Sequence, residues 1–173
     1  MRLIGTTLIL CLSLMLSSSH AAPGVLLTAT GGGHYTIPGD VDLEFAFAAL
    51  VLPNGRAEGN FHHRGVADGE LIDFTAQVTC LSVDGVNHRA WIGGVITSNR
   101  STHPQFMTTV HQPGHDIWFR VQDNGPGQSD DTPDVTTIVG FEGVIPSSQV
   151  YCDTQPWRTN NVWPVAGNLT VTP

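Results

Sequence analysis

The chain has 173 residues, with 15 Asp and Glu against 7 Lys and Arg, a formal net charge of −8 and only 13% charged residues, where a soluble domain carries about 25%. All seven cations are arginines, so a polyanion-binding surface has little to be built from and nucleic acid is excluded as an expected partner. With 40% hydrophobic residues, 19 Gly and 11 Pro and no collagen-like period, the composition is that of a folded, turn-rich domain and not of a solvated disordered chain.

The first segment in chain order reads as an export signal. Arg2 supplies the positive start, Leu3 to Leu16 is apolar, and Ser19-His20-Ala21 places small residues at the two positions a signal peptidase reads. Cleavage is expected after Ala21, near the end of a 1–21 signal peptide, leaving 22–173 as a single mature domain. Thr6, Thr7 and Ser13 interrupt the apolar run, which is shorter than the roughly 20 residues of a membrane span. The predicted location is secreted, either extracellular or periplasmic, with no transmembrane segment in the mature chain. Removing 1–21 leaves 6 Arg against 15 carboxylates, a net charge of −9, and two of the three cysteines. In an oxidising compartment Cys80 and Cys152 are expected to form one disulfide.

Strand signals follow one another along the mature chain. A first strand is predicted at His34 to Ile37. Leu43, Phe45, Phe47, Ala49 and Val51 then fall on one side of a period-2 ribbon, the signature of a half-buried strand. Asn54-Gly55 predicts a two-residue hairpin turn with both residues at positive φ, and the next strand runs from Arg56 to His63. Ile72, Phe74, Ala76, Val78 and Cys80 share a face within Leu71 to Leu81, which points Cys80 inward; the apolar phase slips at Leu81 and Val83, as at a bulge. Asp84-Gly85 predicts another hairpin turn. Asn87 to Thr97 is a strand bent at Gly93-Gly94. Ile117 to Gln122, Thr136 to Phe141 and Gly167 to Thr172 complete about eight strands, and no stretch has helical periodicity of useful length. The expected fold is all-β and antiparallel, an up-and-down β-barrel with a two-sheet β-sandwich as the alternative.

Candidate chemistry concentrates in two places. Asp123, Asn124, Asp130, Asp131 and Asp134 lie in one Gly-containing loop, which offers hard oxygens to a calcium ion, although the D-x-[DN]-x-[DN]-G spacing of an EF-hand is absent. The alternative is a turn whose Asp and Asn side chains bond their own backbone. Neutral imidazole is the commonest transition-metal ligand, and His62, His111 and His115 are the candidates for such a site, with His103 and Asp116 nearby in sequence. His62 and His63 face opposite sides of a strand, so only one of them can join it. No G-x-S-x-G elbow marks a nucleophile. Trp118 falls on the face opposite Ile117, Phe119 and Val121; it is a candidate binding surface for a sugar or a partner's pocket, unless a loop covers that face.

The stretch Val78-Thr79-Cys80-Leu81-Ser82-Val83-Asp84-Gly85, with Ala90 and Gly94-Val95 beyond it, and then Phe119-Arg120-Val121-Gln122-Asp123-Asn124-Gly125, resembles the "VxCLxVxGNxA" strand pair and "FxVxDNGEPG" motif of uncharacterised secreted bacterial proteins. These are similar to the post-COAP type of β-domain. Val86 and His88-Arg89 lengthen the first turn, and Gly125-Pro126-Gly127 departs from the second motif. The resemblance implies export and an all-β fold, and it brings no catalytic residue, cofactor or ligand.

Three functions are consistent with these residues. The first is a secreted non-catalytic β-module in extracellular or envelope binding or structure, with an extracellular protein or glycan as partner and calcium as the cofactor its acidic loop suggests. The second is a barrel-type carrier enclosing a small apolar ligand among Phe45, Phe47, Phe74 and Phe119. The third is a metal-dependent secreted enzyme using His62, His103, His111, His115 and Asp116.

Overall fold

A computed structural model describes residues 24, 26–39, 41–125 and 132–173; the expected signal-peptide cleavage point lies outside them. The elements are β1 (Leu27–Ile37), β2 (Val41–Val51), β3 (Ala57–Ala67), β4 (Glu70–Asp84), β5 (Arg89–Asn99), β6 (Asp116–Gln122), β7 (Val135–Thr136), β8 (Gly140–Phe141), α1 (Ser148–Thr154), β9 (Trp163–Pro164) and β10 (Ala166–Thr172). All strands pair antiparallel in one sheet of order β10-β1-β2-β3-β4-β5-β6-β7-β9, with β8 also on β6. The result is a nearly closed, barrel-shaped meander, as the alternation and tight turns predict. Among the described residues no helix is long and apolar enough to cross a membrane.

The strands form because period-2 alternation gives each of them one apolar face. In β2, Leu43, Phe45, Phe47 and Ala49 are buried while Asp42, Glu44, Ala46 and Ala48 are exposed. The same rule places Phe61 and His63 of β3, Ile72, Phe74, Ala76 and Val78 of β4 and Ile117, Phe119 and Val121 of β6 inside. Strand β1, by contrast, carries glycines where the last strand approaches it. Gly31 stands opposite Phe47 and Gly33 opposite Phe45. A Cβ on Gly33 would lie 2.7 Å from Val165 Cγ1, and one on Gly31 would lie 2.4 Å from the Asn168 carbonyl oxygen. The glycine run therefore lets the last strand close against the first.

Turn chemistry differs from the sequence expectation at two hairpins. Between β2 and β3 only Gly55 is left-handed, with φ +80°, and Gly55 N–H donates to the Leu52 carbonyl while Leu52 N–H donates to Arg56. After β4 the Asp84 carboxylate accepts from Val86 and Asn87 N–H, and His88, not Gly85, takes positive φ. The two-residue turn with both φ positive is Asp68-Gly69, at 53° and 79°. The expected strand Thr136 to Phe141 is two short pieces. Its register against β6 slips by one residue between Val121↔Thr136 and Trp118↔Gly140, and Thr137 in the slip accepts the Arg120 N–H on its hydroxyl.

The most consequential correction concerns β4. Its register shifts between Val78 and Cys80, before Cys80 and not after it. The extra residue, Thr79, turns Cys80 to the outer face, while Leu81 and Val83 return to the inner one, opposite Ile92 and Ala90. Cys80 is buried all the same, because a short helix lies over it. That helix, α1, was not legible as a 3.6-residue period. It is capped by Ser147, whose hydroxyl accepts from Val150 N–H, and it buries Ser148, Tyr151 and Cys152 against the sheet. Cys80 and Cys152 are disulfide-bonded. Gly93 makes room for the contact, since a Cβ there would lie 2.6 Å from Cys80 Sγ and 2.7 Å from Ser148 Cβ.

The bridge spans 72 residues of sequence, for which loop closure predicts a stabilisation of about 4 kcal/mol. Replacing both cysteines, Cys80→Ser with Cys152→Ser, is expected to lower the unfolding free energy by that order in urea titrations. A loss below about 1 kcal/mol would mean that packing alone holds α1 in place.

Candidate functional site

The acidic loop meets the fold at the barrel's closing seam. Residues 163–172 form the last stave: β9 pairs with β7, β10 pairs with β1, and Val165 N–H between them donates to the Asp134 carbonyl at 2.8 Å. Beyond Val165 the free edge of β10 has no strand ladder, yet its inward-turned amides require acceptors. Carboxylates supply them. Asp134 Oδ2 accepts from Leu169 N–H at 2.8 Å and Asp123 Oδ2 from Val171 N–H at 3.1 Å. Their other oxygens accept from Asn124 N–H and Gly125 N–H, both at 2.8 Å. Asn124 donates to the Pro133 carbonyl and accepts from Gln122. Asp123, Asn124 and Asp134 of the proposed calcium set thus bond backbone across the seam, while Asp130 and Asp131 lie outside the described residues. Beside the seam is an open groove of about 750 Å³, with Asn87, His88, Gln122, Asn124, Asn168 and Thr170 in its walls.

The histidines proposed for a transition metal are dispersed. His62 is on the outer face, where Nε2 donates to Asp73 Oδ1 at 2.9 Å; Asp73 is 4% exposed and also pairs with Arg100 at 3.1 Å. His111 is at the end of the barrel, its ring 4.2 Å from the centre of Phe141 and its Nδ1 2.7 Å from Thr108 Oγ1; burial lowers its pKa. His115 Nδ1 lies 3.2 Å from Glu142. The Asp116 N–H, and after it His115, hold the Glu142 carboxyl below the usual range. His103 is 3.8 Å from Asp68. Among the described residues no group of three or more His, Cys, Asp or Glu is arranged to hold a metal ion.

Trp118 is not the exposed surface that strand phase suggests. It is 5% exposed, and Tyr151 of α1 stacks on it with ring centres 5.5 Å apart and planes at 23°. The outer face of β5 and β6 carries a second apolar cluster of Trp91, Trp118 and Tyr151, so Trp118 faces outward from the sheet and is covered by the helix. Burial raises the Tyr151 hydroxyl to about 12, with Arg120 opposing the shift.

The residue that sequence reasoning passed over is His63. It is 1% exposed inside the barrel, ringed by Phe45, Phe61 and Phe119 with centres 5.4, 5.9 and 4.8 Å away, and its Nε2 has no hydrogen-bond partner. Its phase was readable, two residues after the inward Phe61. Loss of hydration, with His62 adding to it, pushes His63 down to about 3. The folded state therefore holds the imidazole neutral, whereas the unfolded chain takes up a proton near pH 6.5. This stability is complete above about pH 6.5 and is lost as pH falls toward 3, by about 3 kcal/mol between pH 7 and 4.

Comparison with family models, with curated proteins and with solved structures finds no match to this chain.

Two experiments address these sites. Asp134→Ala removes a buried acceptor of two N–H groups and is expected to destabilise the fold by about 3 kcal/mol, with faster hydrogen exchange at the Leu169 amide; unchanged exchange there would show that the seam is held by other contacts. For His63→Leu, the fall in urea stability from pH 7 to 4 should be smaller than in the parent by about 3 kcal/mol. Equal slopes in the two proteins would remove His63 as the source.

Proposed function

We propose that the chain is a secreted, non-catalytic β-barrel module that acts in extracellular or envelope binding or structure. The observation that carries this reading is the filled interior. Phe119 at its centre touches Phe45, Phe47, Phe61 and His63, with ring centres 4.8 to 6.2 Å apart, and the buried Tyr35 hydroxyl of β1 donates to the Thr137 carbonyl beyond the closing stave. These are the contact distances of packed aromatic cores. Three of the four phenylalanines that a carrier would use to enclose an apolar ligand, Phe45, Phe47 and Phe119, instead pack against one another. The Cys80–Cys152 bridge supports an oxidising compartment. Asp123 and Asp134, with every carboxylate oxygen on a backbone N–H, support a structural role for that end of the acidic loop. The resemblance to post-COAP-type secreted domains points the same way.

Native mass spectrometry of protein purified from its own culture medium tests the reading. The expected species is the chain beginning at Ala22, with one disulfide and no bound small molecule. A co-purifying apolar molecule at unit stoichiometry would favour the carrier, and retained zinc or copper would favour the enzyme.

A further inference from the structure

Four of the described arginines fall into two contrasting pairs. Arg56 and Arg100 have carboxylate partners, Glu58 and Asp73. Arg89 and Arg120, on the outer face of β5 and β6, have none within ion-pair distance among the described residues, although the protein is strongly acidic. Both lie against one indole: their guanidinium carbons are 4.1 and 5.1 Å from the centre of the Trp157 ring, which Trp91 meets edge-on. Arg120 is 5% exposed. It donates through Nη2 to the Arg158 carbonyl and to Asn161 Oδ1 and also faces the Tyr151 hydroxyl, neutral groups that satisfy N–H donors without supplying a counter-charge. Its Nε is buried with no partner. Arg89 donates through Nε to Gln122. Asp84, opposite Arg89 in the β4–β5 register, accepts from the Asn87 side chain, Asn87 N–H and Val86 N–H and feels the Arg89 charge only as the last and smallest cause of its lowered pKa, outside ion-pair distance.

A buried guanidinium without a counter-charge is unfavourable, and cation–π contact with one shared ring offsets only part of that. Two guanidinium groups that reach one indole from diagonal positions of adjacent strands, in a partly dehydrated setting, offer N–H donors suited to the oxygens of a sulfate, a phosphate or a carboxylate. We propose that Arg89 and Arg120, beneath Trp157, form an oxyanion-binding site that takes a ligand bearing sulfate, phosphate or a sugar carboxylate. The proposal rests on the reading of the chain as a binding module and names the chemistry of what it binds. Trp157, half-buried over the arginines, moves or changes its surroundings when the anion arrives, which makes tryptophan emission the reporter.

The test is a titration of the full mature protein at pH 7 and fixed ionic strength, followed by tryptophan fluorescence and calorimetry, with three probes: sodium sulfate, sodium phosphate and a short oligomer of hexuronic acid, with the neutral hexose oligomer as control. Saturable binding of at least one probe is expected, about tenfold weaker in Arg89→Gln and unchanged in Arg56→Gln. Arg89 is only partly buried, so its replacement leaves the fold intact, which a melt of the variant verifies. Response to sulfate or phosphate identifies a free oxyanion as sufficient, and response to the uronate oligomer alone identifies a glycan-borne carboxylate; either supports the site. No saturable binding of any probe, or equal binding in Arg89→Gln, overturns it. Neither of those results changes the native mass spectrum on which the module reading stands or falls.

Discussion

The closing edge of the barrel is the constraint on which the rest of the structure depends. A meander of antiparallel strands leaves two edges, and each carries backbone groups that need partners. Here the last ten residues of strand bridge them, pairing first with β7 and then with β1. On the free edge of β10, opposite β1, two carboxylates act in place of a neighbouring strand, through Leu169 N–H and Val171 N–H. A charged acceptor bonds an amide more strongly than a carbonyl does, so two side chains can hold an edge where a ladder would need several residues. Asp134 is well suited to this, because its main-chain oxygen binds Val165 while its side chain binds Leu169.

Closure in turn sets the interior. Once β10 lies against β1, Gly31 and Gly33 admit its backbone, since the Asn168 and Ala166 carbonyl oxygens stand where their Cβ atoms would be, and Phe47 and Phe45 stand opposite them on β2. The rings of Phe45, Phe61 and Phe119 enclose His63, which is 1% exposed. The neutral histidine is therefore a consequence of barrel packing and not of a local sequence motif. It also couples acid to the fold, since protonating the imidazole requires opening the aromatic cage around it.

A second layer lies outside the barrel and is held by different means. The bulge before Cys80 turns that cysteine outward, the disulfide ties α1 to it, and α1 covers Trp118. The segment after α1 brings Trp157 over Arg89 and Arg120, with Arg120 gripping the chain at Arg158 and Asn161. This outer layer holds two arginines, Arg89 and Arg120, with no carboxylate within ion-pair distance among the described residues, next to a barrel whose seam uses acids as backbone acceptors. Opposite charges therefore serve different parts of the same molecule.

By itself the sequence determined the strands and their inner faces, because alternation of apolar residues depends only on neighbours two positions apart; β2, the first half of β4 and β6 are where their periodicity places them. Two cysteines beyond the expected signal peptide likewise left one pairing, while the acidic loop left open a calcium site or a turn whose carboxylates bond backbone. Only the tertiary structure decided which face Cys80 takes, because a one-residue register shift at Thr79 reverses every side chain beyond it. It alone decided that Trp118 is covered, since α1 is too short to declare itself by periodicity and is held by a bridge from residue 80 to residue 152. The backbone donors of Asp123 and Asp134 at the seam, and the approach of Arg89 and Arg120 to Trp157, join residues tens of positions apart. Such contacts depend on register and closure, which are properties of the assembled sheet and not of any stretch of chain.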